Sequence, residues 1–558
     1  MYIGIDIGGT FTDGVIISKD QIVASVKVPT YEDISNSIET ALIEVLSGIE
    51  PNKIKQVTLS TTLITNIIAQ DKLKKAGLLL IPGPGANPNN FKFPCEYKIL
   101  SGAVDYRGRV IEDLDMAEVK DACKYFAAQN INCLAVACKF SQRNGSLEEK
   151  IVTFIKNNYP EIKVLASNEV SGLLNWIRRA NGAFYTITTG EACNEFDKKI
   201  KSTLNKVGLN CPVFVLKADS GTLPLEMSLR YPLETIFSGP SASTLGALAC
   251  TEENITSVVV DIGGTTTDIS LILKGKPLIA EKGAYINSFP VPVRALAVSS
   301  SALGGDTPIL IDNGRIEFGE RQGSALCLGG STLTVTDILV YLGYSDIAAS
   351  SDVKEEVENY AKQLGLEPKK FSYSILDLFI NKIENKLEEM FRLWEEEPAY
   401  RIWQVLSSKK ERPRSLICLG GPAKGLGEYW SNKKGWEVVI PSYAHVANAI
   451  GAALARTTIK FDFFADTERM SYTTSIGGLQ GVLKEPLKNT EDAYRYALEI
   501  YNGIAQKWHV DKNISLETLY EEGFNVVRGW QTVGKIFQIG IQTEPGIRRF
   551  LKGEKAND

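Results

Sequence analysis

Short apolar runs separated by turn residues open the chain. Residues 3–7, 14–18 and 21–28 are rich in Ile and Val and predict three strands. Over 33–48, Ile34, Ile38, Ala41, Leu42 and Val45 recur on one face at helical spacing, which predicts a helix. A strand at 56–60 and a helix at 62–70 follow, and the alternation continues to about residue 170. Cys133–Cys138 is a continuous apolar run, the pattern of a strand buried on both faces. Gly83-Pro84-Gly85-Ala86-Asn87-Pro88 is turn chemistry and predicts an exposed loop. A second alternating block runs from about 190 to 456, and within it Ser257–Ile262 repeats the logic of the N-terminus.

Residues 351–397 are strongly charged, with Pro398 just beyond. Leu376, Ile380, Ile383, Leu387, Met390 and Trp394 make an apolar stripe at alternating spacings of four and three. The stripe predicts a helical subdomain covering one lobe, with a coiled-coil partner surface as the sharper alternative. The tail holds an amphipathic helix near 490–507 and an apolar stretch around 533–541. The expected division is an N-terminal lobe over 1–185, a second lobe over 186–456 with its helical insertion, and a C-terminal region over 457–558.

A length of 558 residues allows several domain-sized units and large cores. The net charge of -5 argues against a nucleic-acid binder, because phosphate binding wants a basic face. The chain has no apolar run long enough to span a membrane. It enters a strand pattern at once, so no signal peptide is expected. The nine cysteines are scattered without a Cys-x-x-Cys and read as buried free thiols in a reducing compartment, hence a cytoplasmic protein. With only His445 and His509, a multi-histidine metal site and a Ser-His-Asp triad are poorly supported.

The chemistry concentrates in a repeated turn. In Asp6-Ile7-Gly8-Gly9-Thr10-Phe11-Thr12-Asp13 a strand ends on a carboxylate, turns through two glycines and offers hydroxyls. Glycine permits close backbone approach and positive φ. Turn amides and the Thr10 and Thr12 hydroxyls suit phosphate oxygens. A carboxylate beside a polyphosphate needs Mg²⁺ or its waters between them. Seen once, such a turn is a tight hairpin. It recurs as Asp261-Ile262-Gly263-Gly264-Thr265-Thr266-Thr267-Asp268, again after a buried strand. Two homologous lobes presenting phosphate hairpins to one cleft explain the repeat. A buried strand then leads into Gly420-Gly421-Pro422, a turn without bulky side chains that suits a flat adenine or ribose. The small-residue segments 239–247 and 447–454 read as helices that pack closely at a hinge. The chain has no Gly-x-x-x-x-Gly-Lys-Ser/Thr, so the site is not of Walker type.

This order of hairpin, small-residue helix, hairpin, nucleoside turn and small-residue helix is similar to that of the actin-like ATPase and sugar kinase superfamily. Within it the chain resembles the hydantoinase A and 5-oxoprolinase group. The residues that carry the resemblance are 6–13, Thr61-Thr62-Leu63-Ile64-Thr65-Asn66, Ala218-Asp219-Ser220-Gly221, Ser238-Gly239-Pro240-Ser241, 261–268, Thr334-Val335-Thr336-Asp337 and Ala465-Asp466-Thr467. The resemblance implies an α/β fold, with two actin-like or ribonuclease H-like lobes around an ATP cleft, a helical insertion and an α+β C-terminal region. It implies ATP-driven activation of a cyclic amide, or of a ketone in the related carboxylases, by phosphorylation of the carbonyl oxygen. A partner subunit would then carry hydrolysis or carboxylation.

On this reading Asp6 and Asp261 face Mg²⁺ and its waters. Gly8, Gly9, Thr10, Thr12, Gly263, Gly264, Thr265 and Thr266 hold phosphates, and Gly420, Gly421 and Pro422 frame adenosine. Asp13 or Asp268 orients the acceptor or an attacking water. An ATP-driven switch acting on a partner enzyme, and a metabolite kinase, are the competing functions. Three places depart from the family pattern: Leu59-Ser60 stand where His-Gly usually does, Leu303-Gly304-Gly305-Asp306-Thr307 replaces a triple-glycine segment, and 319–330 is compressed.

Overall fold

The N-terminal runs become the strands Tyr2–Ile7, Phe11–Ser18 and Gln21–Pro29, and the predicted helix spans Ile34–Val45, its first turn capped by the Asp33 carboxylate on the Ser35 amide. The computed structural model describes residues 1–345, 347, 349–396, 412–432, 436–476, 479–510 and 514–552. The first hairpin pairs antiparallel with itself and parallel with Gln56–Thr61, which in turn pairs parallel with Val213–Leu216. A second sheet repeats this plan. Ser257–Ile262 pairs antiparallel with Thr267–Leu273 and parallel with Ser415–Leu419, beside which Glu437–Val439 runs parallel. The chain is therefore a mixed α/β protein whose two lobes share one topology.

The helices Ser238–Ala249 and Ala447–Leu454 pack on each other in one core with Val15 and Ile17 of the first sheet and Val259 and Ile417 of the second. Backbone meets backbone at their crossing. A Cβ on Gly246 would fall 2.0 Å from the Ala447 carbonyl oxygen, and one on Gly451 2.0 Å from that of Ala242. Gly4 of the first strand has a like constraint, 2.0 Å from the Ala449 oxygen. These small residues set the distance between the lobes.

The apolar stripe at 376–394 lies on the helix Pro368–Glu396. Leu376, Ile380, Ile383, Leu387 and Met390 are buried in the outer core of the second lobe with Val258, Ile269 and Leu416, and Trp394 packs at its margin. The stripe is consumed within the chain, so the coiled-coil alternative falls. Residue 397 and Pro398 lie outside the described residues.

The helix Trp176–Lys206 runs straight through the 185/186 boundary expected from the sequence, and Val213–Leu216 still belongs to the first sheet. The passage to the second lobe therefore comes later, near the helix at 238–249. A separate parallel sheet of Lys163–Ala166, Cys133–Cys138, Gly77–Ile81 and Tyr97–Ile99 sits within the first expected unit. The tail folds as an antiparallel sheet that includes Lys460–Asp466 and Gln531–Thr543, with the helix Thr490–Lys507. Its Phe461, Phe537, Ile539 and Ile541 join the core of the first lobe with Ile3, Ile5, Leu59 and Ile38.

Candidate functional site

Each repeated motif forms the same hairpin. Asp6 lies opposite Asp13 and Asp261 opposite Asp268, while the Gly8 amide donates to the Phe11 oxygen at 3.0 Å and the Gly263 amide to the Thr266 oxygen at 2.9 Å. Contrary to the sequence expectation, none of Gly8, Gly9, Gly263 and Gly264 adopts positive φ. A Cβ would meet the Phe11 oxygen at 2.9 Å on Gly8 and the Asp306 carboxylate at 2.6 Å on Gly264, while nothing lies within 4 Å of that position on Gly9.

The two carboxylates that end the central strands converge from different lobes. The Asn448 amide donates to Asp261 Oδ2 at 3.4 Å and also hydrogen bonds Asp6. Among the described residues neither Asp6 nor Asp261 forms an ion pair. Desolvation, and then the neighbouring Asp13 charge, push Asp6 up to about 6 against the pull of a Ser60 hydrogen bond. Desolvation and the Asp268 and Asp6 charges push Asp261 up to about 7. Two crowded acids without a direct ion-pair partner among the described residues are what a cation with oxygen ligands would relieve, and Mg²⁺ uses one or two carboxylates plus waters and phosphates. The residues present therefore fit that ion. Asn448 stands at the start of its helix, whose N-terminal dipole also favours negative charge.

The second carboxylates differ. Lys27 donates to both oxygens of Asp13, at 2.8 and 2.9 Å, and to the His445 backbone oxygen at 3.0 Å. Opposite Asp268 the corresponding place is taken by Ser300, a hydrogen-bond partner without charge, and burial raises the Asp268 carboxyl. Of the pair proposed to orient an acceptor, Asp13 is neutralised and Asp268 is not. The Thr12 hydroxyl is enclosed and shares a 2.9 Å hydrogen bond with Thr30. Its counterpart Thr267 is equally buried and donates to the Leu303 oxygen. Thr10 and Thr266 are half-buried, and Thr265 and Gly9 are exposed.

Gly420 follows its strand at φ +94°, in the left-handed region that favours glycine, and a Cβ there would sit 2.2 Å from the Ile262 oxygen and 3.0 Å from Asp261 Oδ1. This brings the expected nucleoside turn directly against the second hairpin. Pro422 packs over Gly305, whose own Cβ would lie 2.5 Å from the proline ring.

Three departures from the family pattern gain physical content here. Leu59 fills the first-lobe core, while Ser60 supplies the hydroxyl to Asp6. The segment 303–307 lies across the second turn, with the Gly305 amide donating to Gly263 O at 2.9 Å and the Asp306 amide to Gly264 O at 2.8 Å. From 319–330 comes Arg321, which donates to Thr265 Oγ1 at 2.8 Å, to Asp306 Oδ2 at 2.8 Å, to the Gly323 oxygen at 3.0 Å and to Thr10 Oγ1 at 3.4 Å. One guanidinium thus spans both hairpins. Asn448, Lys27, Ser300, Asp306 and Arg321 were not singled out from the sequence. Only Asn448, a lone amide in a run of small apolar residues, carried a local signal.

Other acidic residues of the resemblance hold structure together. Asp337 closes a capping box with Thr334 and accepts the Leu326 and Cys327 amides. Asp466 receives Arg107 at 2.6 Å, and Asp219 pairs with Lys217 at 3.2 Å and accepts from the Gly221 amide at 2.9 Å. A cavity of about 830 Å³ is lined by Lys217, Asp219, Glu234 and Thr458 and by no hairpin residue. Lys217 already has carboxylate partners there.

Comparison with known proteins agrees with this architecture. The hydantoinase/oxoprolinase model matches residues 179–461 and the model of the hydantoinase/oxoprolinase N-terminal region matches residues 2–159. The chain is 24% identical over 380 residues to caprolactamase subunit alpha of Pseudomonas jessenii, an alignment spanning 61% of this chain and 54% of that subunit. It is 22% identical to the acetone carboxylase beta subunit of Xanthobacter autotrophicus, over 88% of this chain and 76% of the relative. The crystal structure of the ATP-dependent caprolactamase from Pseudomonas jessenii superposes with a TM-score of 0.72 at 18% identity, covering 100% of this chain and 89% of that one, and shows the shared fold.

Proposed function

Because this chain belongs to the hydantoinase/oxoprolinase family, we propose that it is an ATP-dependent enzyme that binds Mg-ATP between its hairpins and phosphorylates the carbonyl oxygen of a hydantoin- or 5-oxoproline-like cyclic amide. The observation that carries this reading is the convergence of Asp6 and Asp261, one from each lobe, on the single amide of Asn448. Mg²⁺ carried with the nucleotide would neutralise these carboxylates against the phosphates. The Gly8, Gly9, Gly263 and Gly264 turns, with Thr10, Thr265 and Thr266, line the phosphate path, and Gly420, Gly421 and Pro422 frame the nucleoside. Thr12 contributes through the hairpin it braces.

An amide carbonyl is a poor electrophile. Attack of its oxygen on the γ-phosphorus expels ADP and leaves phosphate as a leaving group on carbon. Water then adds at that carbon, the C–N bond breaks as the departing nitrogen takes up a proton, and a second water hydrolyses the resulting acyl phosphate to carboxylate and inorganic phosphate. Catalysis of the phosphoryl step is largely positioning and charge neutralisation. Asp268, half-buried and without an ion-pair partner among the described residues, would orient the acceptor or a water, while Asp13 with Lys27 stiffens the first hairpin. Hydrolysis after phosphorylation is assigned to a partner subunit, in line with the caprolactamase relative being named a subunit. The likeness to an acetone carboxylase subunit favours a ketone acceptor as the second reading, with the same carbonyl phosphorylation. No helix of the described residues is long and apolar enough to cross a membrane, and the scattered free thiols support a cytoplasmic site of action.

The test is ADP release from Mg-ATP across hydantoins, 5-oxoproline, lactams and ketones with bicarbonate, each with and without candidate partner subunits. Acceptor-dependent release, abolished by Asp261→Ala, is expected. ATP hydrolysis indifferent to every carbonyl compound but driven by a partner protein would replace the enzyme reading with a conformational switch.

A further inference from the structure

We propose that Asp306 is a built-in anion seated on the second hairpin where a nucleotide phosphate would lie, and that Arg321, which clamps it there, passes from that carboxylate to the incoming phosphates. This deepens the nucleotide reading above and rests on it.

The duplication supplies an internal control. Gly9 and Gly264 occupy equivalent places in the two hairpins. Around Gly9 nothing lies within 4 Å of the position a Cβ would take, whereas at Gly264 that position is 2.6 Å from Asp306 Oδ2 and 3.2 Å from its carboxyl carbon. One turn is open and the other is covered by a carboxylate. The covering is built in by backbone: Gly304 lies so close that its Cβ would meet Gly264 O at 2.4 Å, and the Gly305 and Asp306 amides bond the Gly263 and Gly264 oxygens. Gly305 is pinned in turn by the Thr336 amide on its oxygen at 2.8 Å.

Arg321 completes the arrangement. Its two terminal nitrogens reach Thr265 Oγ1, Asp306 Oδ2 and Thr10 Oγ1, and two of those three atoms are hydroxyls assigned to phosphate. A planar guanidinium donates to carboxylate or phosphate oxygens in one geometry. Its side chain keeps 26% of its exposure, against 11% for Asp306, so the cation faces the cleft while the carboxylate is tucked beneath it. A polyphosphate brings more charge and more acceptor oxygens than a single carboxylate, and displaces it without moving the arginine. Until it does, the nucleotide competes with a tethered anion, and its apparent affinity falls by the fraction of molecules in which the seat is free.

Two partners of one ion pair therefore have opposite effects. Asp306→Asn or Asp306→Gly frees the seat and tightens binding of a non-hydrolysable Mg-ATP analogue by about tenfold. Arg321→Ala removes a charged ligand and weakens binding by about tenfold or more, with partial recovery in Arg321→Lys. Isothermal titration of the full chain, with inorganic pyrophosphate as a second probe and circular dichroism melts to confirm folding, reads both. An ion pair with a merely structural role, or an Asp306 that holds the metal, would make the Asp306 variants bind as weakly as Arg321→Ala. That result overturns the proposal while wild-type binding leaves the nucleotide reading standing. Absence of binding in the wild type and in every folded variant removes both.

Discussion

Replacing Asp261 by Asn removes one of two carboxylates that the fold forces together. The raised value, about 7 against an ordinary 3.8, means the folded state holds this proton more tightly than the unfolded chain does. Such a group favours folding fully at low pH, and that advantage is lost as pH rises from near 4 through about 7. A gap of about three units, at about 1.4 kcal/mol each, sets an upper bound near 4 kcal/mol. Part of the Asp261 side chain still reaches the cleft, and solvent there reduces the penalty to about 2 kcal/mol. In chelator-treated protein, Asp261→Asn is therefore expected to melt higher than wild type at pH 8 and to lose most of that gain by pH 5, where the native carboxyl is already neutral. Mg²⁺ at pH 8 should stabilise the wild type more than the variant, and ADP release should be lost. Scanning calorimetry at the two pH values, with and without Mg²⁺, measures each part. A variant that is less stable than wild type, or whose advantage does not change with pH, would refute the picture of an uncompensated acid pair.

Asn448→Ala removes the side chain shared by Asp6 and Asp261, and since hydrogen bonds to charged groups contribute about 1.5–3 kcal/mol, ADP release should fall at least about tenfold in a protein with a normal melt. Gly451→Ala places a methyl group 2.0 Å from the Ala242 oxygen and should cost about 1–3 kcal/mol of stability, read by thermal melting. With that helix pair intact, a non-hydrolysable ATP analogue should shorten the interlobe distance measured by small-angle scattering or paired labels, since both hairpins touch one ligand only when closed; an unchanged distance at saturation points to a rigid cleft. Substituting His445 and His509 together by Asn should leave ATP turnover in place, and its loss in a folded protein would reveal a histidine role.

What the sequence disclosed is what depends on neighbours along the chain. Each hairpin is a local turn between two short strands, so its carboxylates, glycines and threonines could be read from eight consecutive residues, twice. Cys133–Cys138 was equally plain, because a strand buried on both faces leaves an unbroken apolar run. The helix Trp176–Lys206 was not, because residues around much of its circumference are buried, from Trp176 and Arg179 to Thr188 and Thr189, and no single stripe marks it. A boundary was therefore placed inside it. The electrostatics of the site were hidden for another reason. Lys27 meets Asp13 across a strand pair, Asn448 reaches Asp261 over 187 positions, and Arg321 reaches Thr10 over 311. Nothing in the composition near either hairpin announces which carboxylate meets a lysine and which meets a serine.

The return of the tail to the first lobe sets an order on biosynthesis. The core containing Ile3, Ile5 and Leu59 is closed by Phe461, Phe537, Ile539 and Ile541, which a ribosome adds only after the whole second lobe. The second lobe is drawn from one continuous stretch and can collapse while translation proceeds, as domains generally do. The first lobe, on whose sheet the helix Ile34–Val45 already packs, completes its core only after more than two hundred further residues have been made. Nascent chains arrested near residue 456 should therefore be the aggregation-prone species, and chaperones that shield extended apolar strands should be needed most by the half of the protein that is synthesised first.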